Sequence, residues 1–299
     1  MTRGEFQKRM EKLLLVDGAT GSNLMEMGMP RGVCTEQWVL EHKEVIQSLQ
    51  RAYIQAGSQV IYAPTFGANR CNLAKHGLEA GIREMNLTLA SYSKEVAREF
   101  DGILVAGDIS PTGAMMEPMG GMTYEKAFAI YQEQVRYLLE AGVDLIAVET
   151  MYQIEETMAA IDAVHSICDL PVLCTVTVEA DGSIFTGGNA TEAAMAFEAS
   201  GADAVGINCS VGPNQLVSVI RGMKEHVSVP VIAKPNAGMP TIDDAGNAHY
   251  GMGAEEFAHY MKELVDAGAT IIGGCCGTTP DYIREVARVL ELSPTHSMQ

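Results

Sequence analysis

The sequence is short of positive charge. Among 299 residues, 20 Lys and Arg stand against 38 Asp and Glu, a formal charge of −18. Such a field repels phosphate backbones, which argues against a nucleic-acid partner, and it keeps a protein dispersed in solution. No apolar run approaches the roughly 18 residues of a membrane span, so no transmembrane helix and no membrane partner are expected. A charged start, Met-Thr-Arg-Gly-Glu-Phe-Gln-Lys-Arg, followed by an apolar run of only residues 13–16, is not a signal peptide. Seven cysteines, an odd number with no secretory signal, read as free thiols of a cytoplasmic protein rather than a disulfide frame. Neither a Gly-x-Gly-x-x-Gly turn after the first apolar run nor a Walker A loop is present, so the nucleotide-binding folds lose support.

What the chain does have is alternation. Short apolar runs at 13–17, 60–63, 103–108, 145–149, 172–178, 204–209, 231–235 and 270–275 have the near-continuous apolar character of parallel strands buried on both faces. Helical patterns lie between them, at 36–56, 124–141, 154–167, 190–199, 214–225, 254–267 and 281–290. Four helix ends carry a glycine just before the next strand, at Gly57, Gly142, Gly201 and Gly268, as a C-cap followed by a tight loop requires. Eight strand–helix units predict a single (β/α)8 TIM barrel over about 13–290, one domain spanning 1–299, with an open doubly wound sheet as the alternative. The Gly- and Pro-rich turns follow the strands, which concentrates function on the rim where barrel active sites are built.

Two strand ends on that rim carry thiols: Asn208-Cys209-Ser210, and Gly-Gly-Cys275-Cys276-Gly-Thr-Thr-Pro280. Adjacent cysteines do not readily bridge each other, and both segments end even-numbered strands, whose tips can converge over the mouth. Three thiolates on Zn²⁺ leave one tetrahedral position for a substrate, whereas three merely buried thiols are the plainer alternative. A substrate thiol in that position is held as thiolate at neutral pH and attacks an electrophilic carbon such as a methyl group. Cys34, Cys71, Cys168 and Cys174 read as ordinary packing. Asp17 and Glu149 end the first and fourth strands without a basic neighbour in sequence, and an amino-acid substrate would supply the missing ammonium. The amides of Gly18, Ala19, Thr20 and Gly21 are placed to receive its carboxylate.

Six motifs together resemble the homocysteine S-methyltransferase domain. They are Val-Asp17-Gly-Ala-Thr-Gly-Ser, Thr65-Phe-Gly-Ala-Asn, Gly-Asp108-Ile-Ser-Pro-Thr-Gly, Gly-Ile-Asn208-Cys209-Ser, Pro235-Asn236-Ala-Gly and Gly-Gly-Cys275-Cys276-Gly-Thr-Thr-Pro. The resemblance spans about residues 13–290. It implies one Zn²⁺ per chain on Cys209, Cys275 and Cys276, with homocysteine thiolate as fourth ligand and methionine as product. It further implies that Asp17 and Glu149 hold the substrate ammonium, that Gly18 and Ala19 hold its carboxylate, and that Thr65, Asn208 and Asn236 line the pocket as supports behind the residues that touch the substrate. Pro64 and Thr20 depart from the pattern of methionine synthase-like members, which often carry Asn and an aromatic at those places.

The chain has no room for the folate and cobalamin domains of full-length methionine synthase. The donor is therefore expected to be a small molecule, such as S-methylmethionine or betaine, or a methyl-corrinoid on a separate protein. The methionine-rich loop from Met115 to Met122 is a candidate docking surface for such a corrinoid protein. Two alternatives remain: methyl transfer to another thiol or selenol, and a non-catalytic docking subunit of a corrinoid system.

Overall fold

Alternation of side chains along eight short strands builds the frame. The computed structural model describes residues 1–243 and 248–292. Among them run β1 (Leu14–Leu15), β2 (Val60–Tyr62), β3 (Leu104–Ile109), β4 (Leu145–Met151) and β5 (Val172–Val176). They are followed by β6 (Ala204–Cys209), β7 (Val231–Pro235), β8 (Pro240–Ile242), β9 (Ala248–Tyr250) and β10 (Ala269–Ile272). Eight of these form one parallel sheet in the order β1-β10-β7-β6-β5-β4-β3-β2. A parallel bridge between Val16 and Val60 joins its two edges, so the sheet closes into the expected (β/α)8 barrel.

The strand alternation sorts the core into two layers. Leu14, Val60, Leu104, Ala106, Leu145, Ala147, Leu173, Ala204, Ile232 and Ile271 face one another inside the barrel, and Phe6 of the N-terminal helix Arg3–Arg9 closes its lower end. Burying such a phenylalanine stabilises the fold by about 1.5–3 kcal/mol. The intervening residues, among them Val105, Ile146, Val148, Val205, Ile207 and Ala233, face outward and pack against the helices. Two residues above the inner apolar set, or four for Asn208 on β6, the same alternation points Tyr62, Asp108, Glu149, Thr175, Asn208 and Lys234 inward. The upper barrel interior is therefore polar.

The expected helices at 124–141 and 190–199 are present as Tyr124–Ala141 and Ala190–Ala199. The four glycine caps all have positive φ, which a side chain would make costly. Other expectations need correction. The single helix expected at 36–56 is two, Thr35–Glu41 and Lys43–Ala56, broken where His42 takes φ −130° and ψ 47°. The helix at 214–225 begins instead at Val217, after a short turn over Pro213–Gln215. A sixteen-residue helix, Ile82–Ala97, and the antiparallel pair β8–β9 were not expected. Met116 and Met122 of the methionine-rich loop are buried in the core, and Met119 is exposed.

Candidate metal centre and substrate cavity

The three rim cysteines converge. Their sulfur atoms all lie within 4.8 Å of one another. Cys209 Sγ is 3.6 Å from Cys276 Sγ and 2.7 Å from Cys275 Sγ. Tetrahedral thiolates at the usual Zn–S length sit about 3.7 Å apart, so the first spacing already suits a metal and the second must widen by about 1 Å. Hydrogen bonds from Cys209 and Cys275 draw the Cys276 thiol down to about 3, and Tyr250 adds a third. The same bonds, with burial, hold Cys209 well above its usual range. Thiols bind a cation as thiolates, so loading this trio would release protons.

Backbone in the left-handed region aims these sulfurs. Cys209 and Ser210 have φ of 54° and 68°, and Thr150, on the neighbouring rim, has φ of 60°. A β-branched residue there is an outlier that its surroundings must hold. Asn208 does so: its Oδ1 accepts the Thr150 N–H at 2.7 Å and the Thr175 hydroxyl at 2.8 Å, and its Nδ2 donates to Thr150 Oγ1 at 2.8 Å. Asn236 Nδ2 donates to the Ser210 carbonyl at 3.0 Å, fixing the turn after Cys209. Thr65 ties the tips of β2 and β3 through two bonds to the Asp108 backbone, at 2.9 and 3.1 Å. Asn208, Asn236 and Thr65 thus stand behind the cavity wall and hold its rim together. On the other side, a Cβ at Gly274 would sit 2.3 Å from Thr278 Oγ1, so the chain reaches Cys275 only through glycine.

Below the sulfurs lies a cavity of about 310 Å³. Asp17, Gly18, Ala19, Glu149 and the three cysteines line it, and so do Thr20 and Pro64, the two departures from the family pattern. The Ala19 amide is already committed, donating to Thr278 Oγ1 at 3.1 Å. Glu36 also reaches the wall, with its carboxylate accepting from the Gly67 amide at 2.7 Å and the Cys34 thiol at 3.3 Å.

The basic partner absent from the neighbouring sequence comes from β7. Lys234 Nζ stands 2.9 Å from Glu149 Oε2, 3.9 Å from Asp17 Oδ1 and 3.5 Å from the centre of the Tyr62 ring. Burial alone would lower its pKa, but Glu149, Tyr62 and Asp17 more than reverse this, so it remains an ammonium. Asp17 Oδ2 accepts the Tyr62 amide at 2.7 Å. Burial nevertheless pushes Asp17 up to about 7, with Lys234 pulling against it. Burial, then the charge of Glu149, raises Asp108 well above the usual carboxylate range. Sequence reading passed over Lys234, although a lysine inside a buried strand is itself a signal.

A family model described as homocysteine S-methyltransferase matches residues 14–290. The methionine synthases of Mycobacterium leprae and Mycobacterium tuberculosis are each 30% identical over 293 residues, covering 93% of this chain. The chain spans only 24% of the length of these curated relatives. The metallated homocysteine methyltransferase MmuM of Escherichia coli superimposes with a TM-score of 0.76 at 22% identity, covering 93% of this chain and 96% of that one. At that identity the superposition speaks for the fold. The family match runs from the first barrel strand to the last helix, and the chain belongs to the homocysteine S-methyltransferase family of methyltransferases.

Proposed function

We propose that this single barrel is a zinc-dependent enzyme that transfers a methyl group to the thiolate of homocysteine, giving methionine. The observation that carries the reading is the convergence of Cys209, Cys275 and Cys276 directly over an acidic cavity. The donor set is three sulfurs with room for a fourth ligand, which suits Zn²⁺ in an open catalytic site. Bound there, zinc supplies a lowered thiol pKa, so the acceptor is held as thiolate near neutral pH.

The chain's own residues orient the acceptor. Asp17 and the carboxylates beside it receive the ammonium, and the turn at Gly18 and Ala19 faces the carboxylate end. Asn208, Asn236 and Thr65 hold the rim in place. A thiolate fixed in this way attacks the donor's methyl carbon, and the donor leaves with the bonding pair. The kinship with two methionine synthases supports a methyl-corrinoid as donor, and S-methylmethionine or betaine would serve as small-molecule donors. The reading places the protein in the cytoplasm. A second reading, transfer to another thiol or selenol, is favoured by Pro64 and Thr20 in the cavity wall.

Alanine at Cys209, Cys275 or Cys276 is expected to abolish stoichiometric zinc binding and methyl transfer together. Full transfer by any of the three variants would overturn the reading.

A further inference from the structure

The cavity holds more carboxyl groups than its one lysine can pair. Asp17, Asp108 and Glu149 all face it, and Lys234 is the one basic side chain among its lining residues. Lys234 is spent on Glu149 at 2.9 Å and lies farther, 3.9 Å, from Asp17. Two buried oxygens in this group accept no hydrogen bond: Asp17 Oδ1 and Asp108 Oδ1. Buried carboxylate oxygens are rarely left so, because each forfeits its solvation without a replacement. Asp108 is only 6% exposed and stands on β3, between β2, whose Tyr62 amide binds Asp17, and β4, which carries Glu149.

Resting on the homocysteine reading above, we propose that Asp108, with the Asp17 oxygen that accepts no hydrogen bond, receives the substrate ammonium, because Lys234 already occupies Glu149. Asp108 then decides which thiols are accepted: one bearing an α-ammonium satisfies both orphaned oxygens, and one lacking it leaves them bare. Lys234 is a positioning residue. It pairs with Glu149 at 2.9 Å and sets the boundary of the ammonium site on the β4 side.

The test is calorimetric binding of homocysteine and of its des-amino analogue 4-mercaptobutanoate to zinc-loaded protein. Asp108→Asn, of equal size and without charge, should weaken homocysteine binding about 10- to 100-fold, as expected for a lost hydrogen bond to a charged group. The same substitution should leave 4-mercaptobutanoate within about twofold, since that ligand never used the carboxylate. Asp108→Glu, which keeps the charge but moves it, is the second variant and should show the same selective loss. An equal loss for both ligands, or none for either, overturns the proposal. So does a homocysteine-specific loss in Glu149→Gln but not in Asp108→Asn. Wild-type protein that binds no homocysteine overturns the functional reading and the inference with it. Tight wild-type binding unaffected by Asp108→Asn overturns the inference alone.

Discussion

Replacing Lys234 by Met keeps most of the side chain's length and removes its charge. The ammonium lies 2.9 Å from Glu149 and 3.9 Å from Asp17, with both lysine and aspartate side chains 3% exposed. It also rests on the Tyr62 ring, 3.5 Å from its centre. Removing one partner of a buried pair costs about 3–5 kcal/mol, because the other charge is left uncompensated. With the usual unfolding entropy per residue, that is a fall in Tm of about 5–8 °C for a chain of this length. The loss carries a pH signature. Without the lysine, burial raises Glu149 and Asp17 further above their unfolded values. A carboxyl raised on folding contributes stability that is full below its unfolded pKa and lost as pH rises through its folded pKa. The variant is therefore expected to lose most at about pH 8 and least at about pH 5, where the carboxyls take up protons instead. Urea unfolding of both proteins at the two pH values measures this. A loss that does not depend on pH, or one below about 1 kcal/mol at the higher pH, would refute the buried-pair argument.

Two further outcomes follow from the same geometry. Asn208→Ala removes the acceptor of the Thr150 amide and the Thr175 hydroxyl and frees the strained turn into Cys209. Zinc affinity, read by competition with a chelator, should fall about 10- to 100-fold, and unchanged affinity would mean that the turn holds itself. Asp17 titrates near 7 in the free protein, so homocysteine binding should strengthen as pH rises through about 7 and the carboxylate becomes available to the ammonium. That step should vanish in Asp17→Asn, and its persistence there would assign it to another group.

Much of this was legible in the sequence because parallel barrel strands announce themselves as apolar runs, and glycine caps mark the helix ends before them. The cysteine trio was readable from two short motifs at strand ends. Other features left weaker traces. The inner face of helix Ile82–Ala97 buries Ile82, Met85, Asn86, Leu89, Ala90, Ser93, Val96 and Ala97, and its two polar members interrupt the hydrophobic period. The break at His42 has neither glycine nor proline to mark it, and the apolar face continues across it from Val39 to Ile46. Lys234 was hidden by its run: Val-Ile-Ala-Lys-Pro reads as a strand, and its partners lie 85 residues away at Glu149 and farther still at Asp17. Pairing between distant strand tips is set by barrel closure, not by local sequence.

The central claim is that three thiols hold a zinc ion that activates homocysteine. It is tested most directly by measuring the metal content of the purified protein together with methyl transfer to homocysteine from S-methylmethionine, betaine and a methyl-corrinoid. The account predicts zinc near one per chain and methionine from at least one of these donors. Protein without zinc, or zinc-loaded protein that forms no methionine from any donor, would contradict it.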